Sequence, residues 1–333
     1  MDSNRGEGLL GRTCVVTGAG GFIGSHLVER LVADGASVRA FVHYDALGSA
    51  GWLDGSPVRH DVEVIAGDIA DRESVLRAVE GADVVFHLAA LIGIPYSYRA
   101  PVSYLRTNVE GTLNVLSAAR DLRTPRVVHT STSEVYGTAR HVPMSEAHPL
   151  QAQSPYAATK IAADKLAESF CLSFQVPAVT VRPFNTFGPR QSLRAVIPTV
   201  ISQALAGSMV RLGNLGPTRD FNFVANTVDG FVRAGSVPGV EGLTFNLGTG
   251  REASVRDVVD IVGRILGKPL TVQEDDSRQR PAGSEVERLL ADASLAQDRL
   301  GWTPEVSLEQ GLERTLAWIR DNQDRYRSSE YAV

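Results

Sequence analysis

The stretch TGAGGFIGSHL, residues 17–27, decides the fold of this chain. It follows a short apolar run and opens a helical pattern, with glycines at 18, 21 and 24. Glycine permits a tight turn and close backbone approach to a pyrophosphate, while the helix N-terminus offers free N–H groups. Because the triplet stands between a predicted strand and a predicted helix, it predicts a dinucleotide-binding turn rather than a glycine-rich turn without a ligand. The residues expected to contact the cofactor here are Gly18, Gly21, Phe22, Ile23 and Gly24.

The order of strand, turn and helix recurs as far as residue 182. Strands are predicted at 13–17, 37–42, 63–66, 83–88, 126–130 and 178–182. Nearly all are apolar without alternation, which is typical of parallel strands buried on both faces. The chain is therefore predicted to be α/β, with a Rossmann doubly wound parallel sheet in residues 1–182 (core 12–182).

After residue 183 the regular alternation of strand and helix gives way to loops rich in Gly and Pro and to shorter elements. Helices are predicted near 198–206, 226–234, 254–266 and 308–322, with strands near Val210 and Thr244. Residues 183–333 are expected to form a smaller α/β substrate domain, part of which returns to the sheet.

Composition excludes several classes of protein. The 333 residues are 43% hydrophobic and carry 33 positive against 38 negative side chains, a formal charge of −5. No basic run is long enough to follow a nucleic acid, and no window reaches the roughly 18 apolar residues of a membrane span. We expect a cytoplasmic globular protein without nucleic-acid or membrane partners. Cys14 and Cys171 have no metal-binding spacing and are predicted to be buried thiols, so no metal site is expected.

The ends of the next strands carry further candidates for the cofactor site. An acidic residue that holds the adenosine ribose is expected about 20 residues after the glycines, but Val42 stands there and Asp45 follows three residues later. Asp45 is a displaced candidate, with a solvated loop residue as the alternative; the absence of a nearby arginine favours NAD over NADP. Other strand-end candidates for the cofactor are Asp68, Ile69, Leu88, Ala89 and Ala90, and His87 is either a ligand or a satisfied strand-end histidine.

The catalytic candidates lie in two later stretches. TSTSEVYG, residues 130–137, follows the fifth strand. SPYAATK, residues 154–160, opens a helix with Ser154 as N-cap and Pro155 first. Tyr156 and Lys160 are four residues apart and share a helix face, so an ammonium there, together with a cationic nicotinamide ring, would favour the phenolate and lower the pKa of the phenol toward neutrality. An ordinary helix-face pair is the alternative, but its agreement with the glycine turn favours the catalytic interpretation.

Together these residues resemble an extended short-chain dehydrogenase/reductase of the nucleotide-sugar type, from Thr13 to about Trp318. The stretches that carry the resemblance are TGAGGFIGSHL, GDIAD, VVFHLAA, SYRAP, TNVEGTLNVL, TSTSEVYG, SPYAATK, RPFNTFGPRQ, AVIP, TRDFNFV and RPAGSEVERLLAD. The Thr-Ser-Glu triplet at 132–134 is similar to GDP-mannose 4,6-dehydratases and UDP-glucuronate decarboxylases, whereas 4-epimerases generally lack the glutamate. TDP-glucose 4,6-dehydratases carry Asp where this chain has Ser133.

The resemblance implies a lyase that uses tightly bound NAD on a UDP- or GDP-hexose or N-acetylhexosamine. Tyr156 would take the proton from the sugar 4-hydroxyl, Thr132 would orient that oxygen, and C4 would be oxidised. Glu134 would then remove the C5 hydrogen while hydroxide leaves C6, with Lys160 and Ser133 completing the catalytic set. The product would be a 4-keto-6-deoxy sugar nucleotide.

The family pattern also implies ligands elsewhere in the chain. Asn108 joins the cofactor candidates, and the expected substrate ligands are Ser97, Asn185, Val196, Arg219 and Arg280. A surface ion pair is the alternative for Arg219 and for Arg280, and a turn serine is the alternative for Ser97. A homodimer is expected through a four-helix bundle built from helices near 101–121 and 156–174. Nucleotide-sugar decarboxylation and 4-epimerisation are the alternative reactions. A protein that senses NAD without turnover is a further alternative, against which the presence of both Tyr156 and Lys160 counts.

Overall fold

A computed structural model describes residues 8–275 and 281–326. Its helices are α1 (Phe22–Ala33), α2 (Arg72–Val79), α3 (Ile94–Arg99), α4 (Pro101–Tyr104), α5 (Gly111–Leu122), α6 (Pro155–Phe174), α7 (Val196–Ala206), α8 (Val224–Ser236), α9 (Val255–Leu266), α10 (Ser294–Leu300) and α11 (Leu308–Asp321). A π-helical segment, Leu105–Glu110, joins α4 to α5, and short 3-10 helices lie at Gly51–Gly55, Ser133–Tyr136, Ala282–Ser284 and Gln323–Arg325.

The strands are β1 (Thr13–Thr17), β2 (Ser37–His43), β3 (Val62–Gly67), β4 (Val84–His87), β5 (Arg126–Thr130), β6 (Ala178–Pro183), β7 (Thr186–Phe187), β8 (Met209–Leu212), β9 (Thr218–Arg219), β10 (Asn222–Phe223), β11 (Thr244–Leu247), β12 (Ala253–Ser254), β13 (Thr271–Glu274) and β14 (Arg288–Leu289). Among the described residues, seven of them form one sheet in the order β3-β2-β1-β4-β5-β6-β11, and every pair in it is parallel. The predicted doubly wound parallel sheet is confirmed.

The sheet is covered on both faces because its strands are apolar on both faces. Val16, Phe86 and Val128 pack in a core that includes residues of α1 and α8. Their neighbours along the strands, such as Val85 and Val127, pack in a second core with residues of α2, α5 and α6. This arrangement directs the carboxyl ends of all seven strands to one rim.

The strand order reverses between β1 and β4, which places the glycine turn after β1 beside the end of β4. Thr17 pairs with His87, and His87 pairs with His129, so the ends of β1, β4 and β5 lie side by side. Ligands bind at such a reversal in open α/β sheets, since the two adjoining loops diverge there and leave a crevice.

The last edge strand comes from the C-terminal half of the chain. β11 pairs with β6, Thr244 opposite Thr180. The remaining short strands form small separate sheets, in which β9 lies between β12 and β14.

Two further observations concern the exclusions drawn from composition. Cys14 is buried as predicted, but Cys171 is only partly buried, because it lies near the C-terminal end of α6, where exposed residues follow it. Within residues 8–275 and 281–326, no helix has the combined length and apolarity that crossing a bilayer requires.

Candidate active site

The turn between β1 and α1 is closed so tightly that only glycine fits at two positions. Gly18 has φ +71°, and a Cβ there would lie 2.9 Å from Ala89 Cα. A Cβ at Gly24 would lie 2.2 Å from the carbonyl oxygen of Gly18. No side chain caps the N-terminus of α1, which begins after Gly21. The turn therefore presents backbone N–H groups and a positive helix end to an anionic ligand.

A cavity of about 1450 Å³ lies at the carboxyl ends of the strands and includes this turn. We call it the strand-end cavity. Of the residues predicted to bind cofactor or perform catalysis, its walls contain Gly18, Gly21, Phe22, Ile23, Gly24, Asp45, Leu88, Ala89, Ala90, Thr132, Ser133, Glu134, Tyr156 and Lys160. One cavity thus brings together the glycine turn, the displaced acidic candidate and the catalytic candidates.

Three predicted cofactor ligands do not lie in these walls. Asp68 is exposed and accepts a hydrogen bond from the Ala70 amide at 2.9 Å, while Ile69 is buried. Asn108 is buried, and its side-chain amide is hydrogen-bonded within the protein. Nδ2 donates to the Leu91 carbonyl and to Thr159 Oγ1, and Oδ1 accepts from the Leu91 amide. In this structure Asn108 fixes the loop after β4 against α6, so its assignment as a direct cofactor ligand is corrected.

His87 is a satisfied scaffold residue. The Thr112 hydroxyl donates its proton to the Asn108 carbonyl, so His87 Nε2–H donates to Thr112 Oγ1 and Nδ1 accepts from the Thr17 hydroxyl. Burial lowers the pKa of His87 well below its usual value, and the nearby His129 and Lys160 lower it further. His87 is therefore neutral and holds β1, β4 and α5 together.

The catalytic candidates after β5 form a short 3-10 turn. Thr132 Oγ1 caps it by accepting the Glu134 amide at 3.2 Å. Ser133 is buried at the cavity wall, whereas Glu134 is partly exposed there. The cap aims both Thr132 and Glu134 at the same space.

Helix α6 supplies the other two catalytic candidates. Ser154 Oγ caps its first turn by accepting the Ala157 amide at 3.1 Å, and Pro155 occupies the first helical position, as predicted. Tyr156 and Lys160 are both buried at the cavity wall, 7% and 3% exposed. The ring of Tyr104 meets Tyr156 edge-on, with 6.3 Å between ring centroids.

Burial has the largest effect on the pKa values of Tyr156 and Lys160. Burial raises the pKa of Tyr156, the hydrogen bond with Thr132 opposes that rise, and the charge of Glu134 adds to it. Burial lowers the pKa of Lys160 to about 8, and Lys160 Nζ donates to the Thr130 carbonyl. Desolvation therefore dominates for both groups in the protein without cofactor, and the lowering of the phenol pKa by Lys160 together with a nicotinamide cation stays a prediction.

The predicted substrate ligands divide into three groups. Asn185, Val196 and Arg219 line the cavity, and the Arg219 guanidinium also forms an ion pair with Glu285 at 3.3 Å. Ser97 is fully buried and its hydroxyl donates to the Ile94 carbonyl, so its assignment as a substrate ligand is corrected. Arg280 lies outside the described residues.

The sequence analysis missed Arg325, described below, and three further cavity arginines: Arg99, Arg190 and Arg194. Arg190 donates to Ser25 Oγ at 3.1 Å and to Glu29 Oε1 at 2.7 Å, which ties the loop after β7 to α1. All three lie in or beside the stretches SYRAP, RPFNTFGPRQ and AVIP, so a signal existed, but the sequence alone did not show which arginines would face the cavity.

The cofactor end of the cavity has a wall that the sequence did not suggest. Ala50, Gly51 and Trp52 line it beside Gly20, whose carbonyl accepts the Trp52 amide at 2.9 Å. The Arg325 guanidinium lies 4.9 Å from the centre of the Trp52 ring and also lines the cavity. The C-terminal part of the chain therefore reaches back to the glycine turn.

A doubly wound parallel sheet, a glycine turn at its strand-order reversal and a Tyr-Lys pair beside a Thr-Ser-Glu triplet define an extended short-chain dehydrogenase/reductase. A family model described as GDP-mannose 4,6 dehydratase matches residues 15–315, and the chain belongs to that family.

Curated relatives of the chain include both dehydratases and epimerases. The UDP-glucose 4-epimerase of Mycolicibacterium smegmatis is 36% identical and covers 92% of this chain and 98% of its own. The dTDP-glucose 4,6-dehydratase of Xanthomonas campestris pv. campestris is 33% identical and covers 93% and 94%. The family therefore establishes a nucleotide-sugar dehydratase/epimerase, and identity does not separate the two reactions.

Solved structures of similar proteins agree with this fold. DesIV, the dTDP-glucose 4,6-dehydratase of Streptomyces venezuelae solved with NAD and TYD, superposes with a TM-score of 0.84 at 29% identity and covers 94% of this chain and 98% of its own. MoeE5, solved with UDP-glucuronic acid and NAD, gives a TM-score of 0.83 at 32% identity and covers 93% and 99%.

Proposed function

We propose that the chain is an NAD-dependent nucleotide-sugar 4,6-dehydratase that acts on a UDP- or GDP-hexose or N-acetylhexosamine. One observation carries this proposal: Glu134 lines the strand-end cavity together with Tyr156, close enough for its charge to raise the pKa of that phenol. A carboxylate beside the oxidising tyrosine is required only when the reaction continues beyond C4.

The cavity fits a dinucleotide. A Cβ at Gly18 or Gly24 would collide with neighbouring backbone, so the turn is closed to side chains while its N–H groups stay available to a pyrophosphate. We propose that Asp45, which is exposed at the cavity wall beyond β2, holds the ribose hydroxyls of NAD. NAD bound there supplies a reversible hydride acceptor for the sugar carbon. The NAD found with DesIV and MoeE5 supports this choice of cofactor.

Tyr156 acts as the base for the sugar 4-hydroxyl. Thr132, which opposes the rise in the pKa of Tyr156, orients the hydroxyl oxygen, and the Lys160 ammonium, together with the cationic nicotinamide ring that bound NAD would supply, favours the phenolate. Because Tyr156 and Lys160 are both buried at the cavity wall, proton transfer at the 4-hydroxyl would be shielded from bulk solvent.

Glu134 acts after oxidation at C4, when the 4-keto group has made the C5 hydrogen acidic. Its carboxylate removes that proton, and hydroxide leaves C6 as water with a proton from the site. The hydride taken from C4 would then return from the cofactor to C6 and C5 would take up a proton, so that the cofactor ends as NAD. Ser133 stands where dTDP-glucose 4,6-dehydratases carry an acidic residue, so we propose that Glu134 itself returns the proton to the leaving group.

Two relatives favour the alternative reactions. The M. smegmatis UDP-glucose 4-epimerase supports 4-epimerisation, which requires Tyr156 and Lys160 but no base at C5. MoeE5, solved with UDP-glucuronic acid, supports a substrate with a carboxylate at C6, for which oxidation at C4 would permit decarboxylation.

The deciding experiment is mass spectrometry of products from a panel of UDP-, GDP-, CDP- and TDP-sugars, with NAD or NADP added. Loss of water supports dehydration, loss of carbon dioxide supports decarboxylation, and unchanged mass with an altered sugar supports epimerisation. We expect Glu134→Gln to lower dehydration by about 10²- to 10⁴-fold, as for loss of a general base. Full turnover by Glu134→Gln would contradict the role of this carboxylate, and full turnover by Tyr156→Phe would contradict the role of Tyr156 as the base for the 4-hydroxyl.

We also propose that the protein forms a homodimer through a four-helix bundle. Large apolar side chains are exposed on the helical stretch 101–122 and on α6, namely Val102, Leu105, Leu113, Leu172 and Phe174. Exposed apolar clusters of this kind mark protein interfaces, and two copies of a helix pair would cover both stretches.

A further inference from the structure

We propose that Asp164 is a positioning residue: its carboxylate sets the charge state of Lys160 and thereby the pH range in which the enzyme works. Asp164 lies on α6 one turn after Lys160 and does not line the strand-end cavity. The inference rests on the proposed catalytic role of Tyr156 and Lys160 and adds a group that neither substrate nor cofactor touches.

The Asp164 carboxylate is buried and held from three elements. Oδ1 accepts from His129 Nε2 of β5 at 3.0 Å, and Oδ2 accepts from the Ser131 hydroxyl at 2.7 Å. Oδ2 also accepts from Nε and Nη2 of Arg182 on β6, at 3.2 and 3.0 Å. Four donor contacts on one buried carboxylate fix both its position and its negative charge.

The neighbours of Asp164 fix its ionisation. Burial by itself would raise its pKa, but the donors His129, Arg182 and Ser131 more than offset this and hold the pKa of Asp164 below its ordinary value. Burial lowers the pKa of His129, which is therefore neutral and donates through Nε2. The charged groups among Asp164 and its hydrogen-bond donors are thus the Asp164 carboxylate and the Arg182 guanidinium.

The titratable groups that act on Lys160 or Tyr156 come from several elements. They are His87 of β4, His129 of β5, Glu134 of the 3-10 turn, Tyr104 of α4 and Asp164, while Arg182 of β6 acts on Asp164. Among the described residues, Asp164 supplies the charge that opposes desolvation of the Lys160 ammonium. The same charge raises the pKa of Tyr156. Removing it should therefore lower the pKa of both members of the catalytic pair.

Because the chain contains few lysines, the pKa of Lys160 can be measured directly. The sequence has three lysines, at 160, 165 and 268, so protein labelled with ¹³Cε-lysine gives three resolvable signals. We expect Lys160 to titrate near pH 8 in the unaltered protein and about one unit lower in Asp164→Asn, with Lys165 and Lys268 unchanged. An unshifted Lys160 in a folded Asp164→Asn chain would overturn the proposal.

The activity profile gives the second readout. In Asp164→Asn both limbs of the pH–rate curve should move toward lower pH by about one unit, because both pKa values fall. Asp164→Glu, which keeps the charge, should restore the limbs. The matched control is Asp220→Asn, which removes a buried carboxylate that accepts from Thr249 and Gly250, and it should leave the limbs in place. A purely structural Asp164 would lower the rate at every pH without moving either limb.

Asp164→Ser is a second neutral variant in case Asp164→Asn does not fold, and the same lysine titration applies to it. If neither neutral variant folds, Asp164 is a folding determinant and the proposal fails as stated. Because the titration does not depend on turnover, its outcome is separate from that of the proposed function, which fails when Tyr156→Phe retains full activity.

Discussion

At the scale of single residues, burial of the Lys160 ammonium lowers the free energy of unfolding. Its amine is 3% exposed, and burial lowers its pKa from 10.5 to about 8. A lowered lysine pKa means that the folded chain binds the proton less tightly than the unfolded chain. This loss in the free energy of unfolding is therefore fully present below pH 8 and disappears as the pH rises toward 10.5.

Replacing Lys160 by methionine should make the protein more stable at neutral pH. The gain should approach about 3 kcal/mol at pH 7, less the lost hydrogen bond to Thr130, and should shrink between pH 8 and 10.5. Urea unfolding at pH 7 and pH 9.5 measures it, with the exposed Lys165→Met as the control. A gain of equal size at both pH values would contradict the burial argument.

Gly24 tests the glycine turn at the same scale. Gly24→Ala places a Cβ 2.2 Å from the Gly18 carbonyl oxygen, so the turn must open, at a cost of about 1–3 kcal/mol. NAD affinity, measured by calorimetry, should fall along with stability. Gly207→Ala is the matched control, since a Cβ at Gly207 meets no atom within 4 Å. Unchanged NAD affinity in Gly24→Ala would remove the argument for phosphate binding at this turn.

At the scale of elements, the first turn of α6 connects helix capping to catalysis. Tyr156 lies two residues after the Ser154 cap, so loss of the cap should displace the phenol as well as destabilise the helix. Ser154→Ala should cost about 1 kcal/mol and lower kcat several-fold. Ser307→Ala removes a comparable cap from α11, far along the chain from the catalytic residues, and should cost similar stability while leaving kcat unchanged. Equal kcat values for the two variants would show that the cap has no part in positioning Tyr156.

At the scale of the whole molecule, charged substitutions on the two exposed helical stretches should disrupt the proposed dimer. Leu113→Glu combined with Leu172→Glu places charges on both exposed helical stretches, and Leu172 is 78% exposed in the single chain. We expect a monomer by sedimentation at micromolar concentration, because a buried unpaired carboxylate is strongly unfavourable. Met209→Glu on β8, an exposed apolar residue outside these stretches, should leave the dimer intact. A monomeric unaltered protein would contradict the assembly outright.

Much of the fold could be predicted because its signals are local. The strands from β1 to β6 were predicted within one residue at either end, since runs buried on both faces are apolar throughout. The start of α6 was predicted from Ser154 and Pro155, because a cap and a proline act on their own turn. The cavity position of Glu134 followed from the rule that parallel strands end at one rim.

The misses concern contacts between residues far apart in sequence. Ser97 and Asn108 lie in stretches typical of ligand binding, yet both side chains turn into the scaffold, where Ile94, Leu91 and Thr159 bind them. No local pattern predicts the Arg190–Glu29 contact, which spans more than 160 residues.

The sequence by itself determined the sheet, the glycine turn and the set of chemical groups at the strand ends, because hydrophobic periodicity, glycine spacing and capping act over a few neighbouring residues. Only the tertiary structure decided how those groups are charged and which of them reach the cavity. Charge state depends on burial and on partners from other elements, as Lys160, Asp164 and Arg182 show, and burial is set by how the whole chain packs.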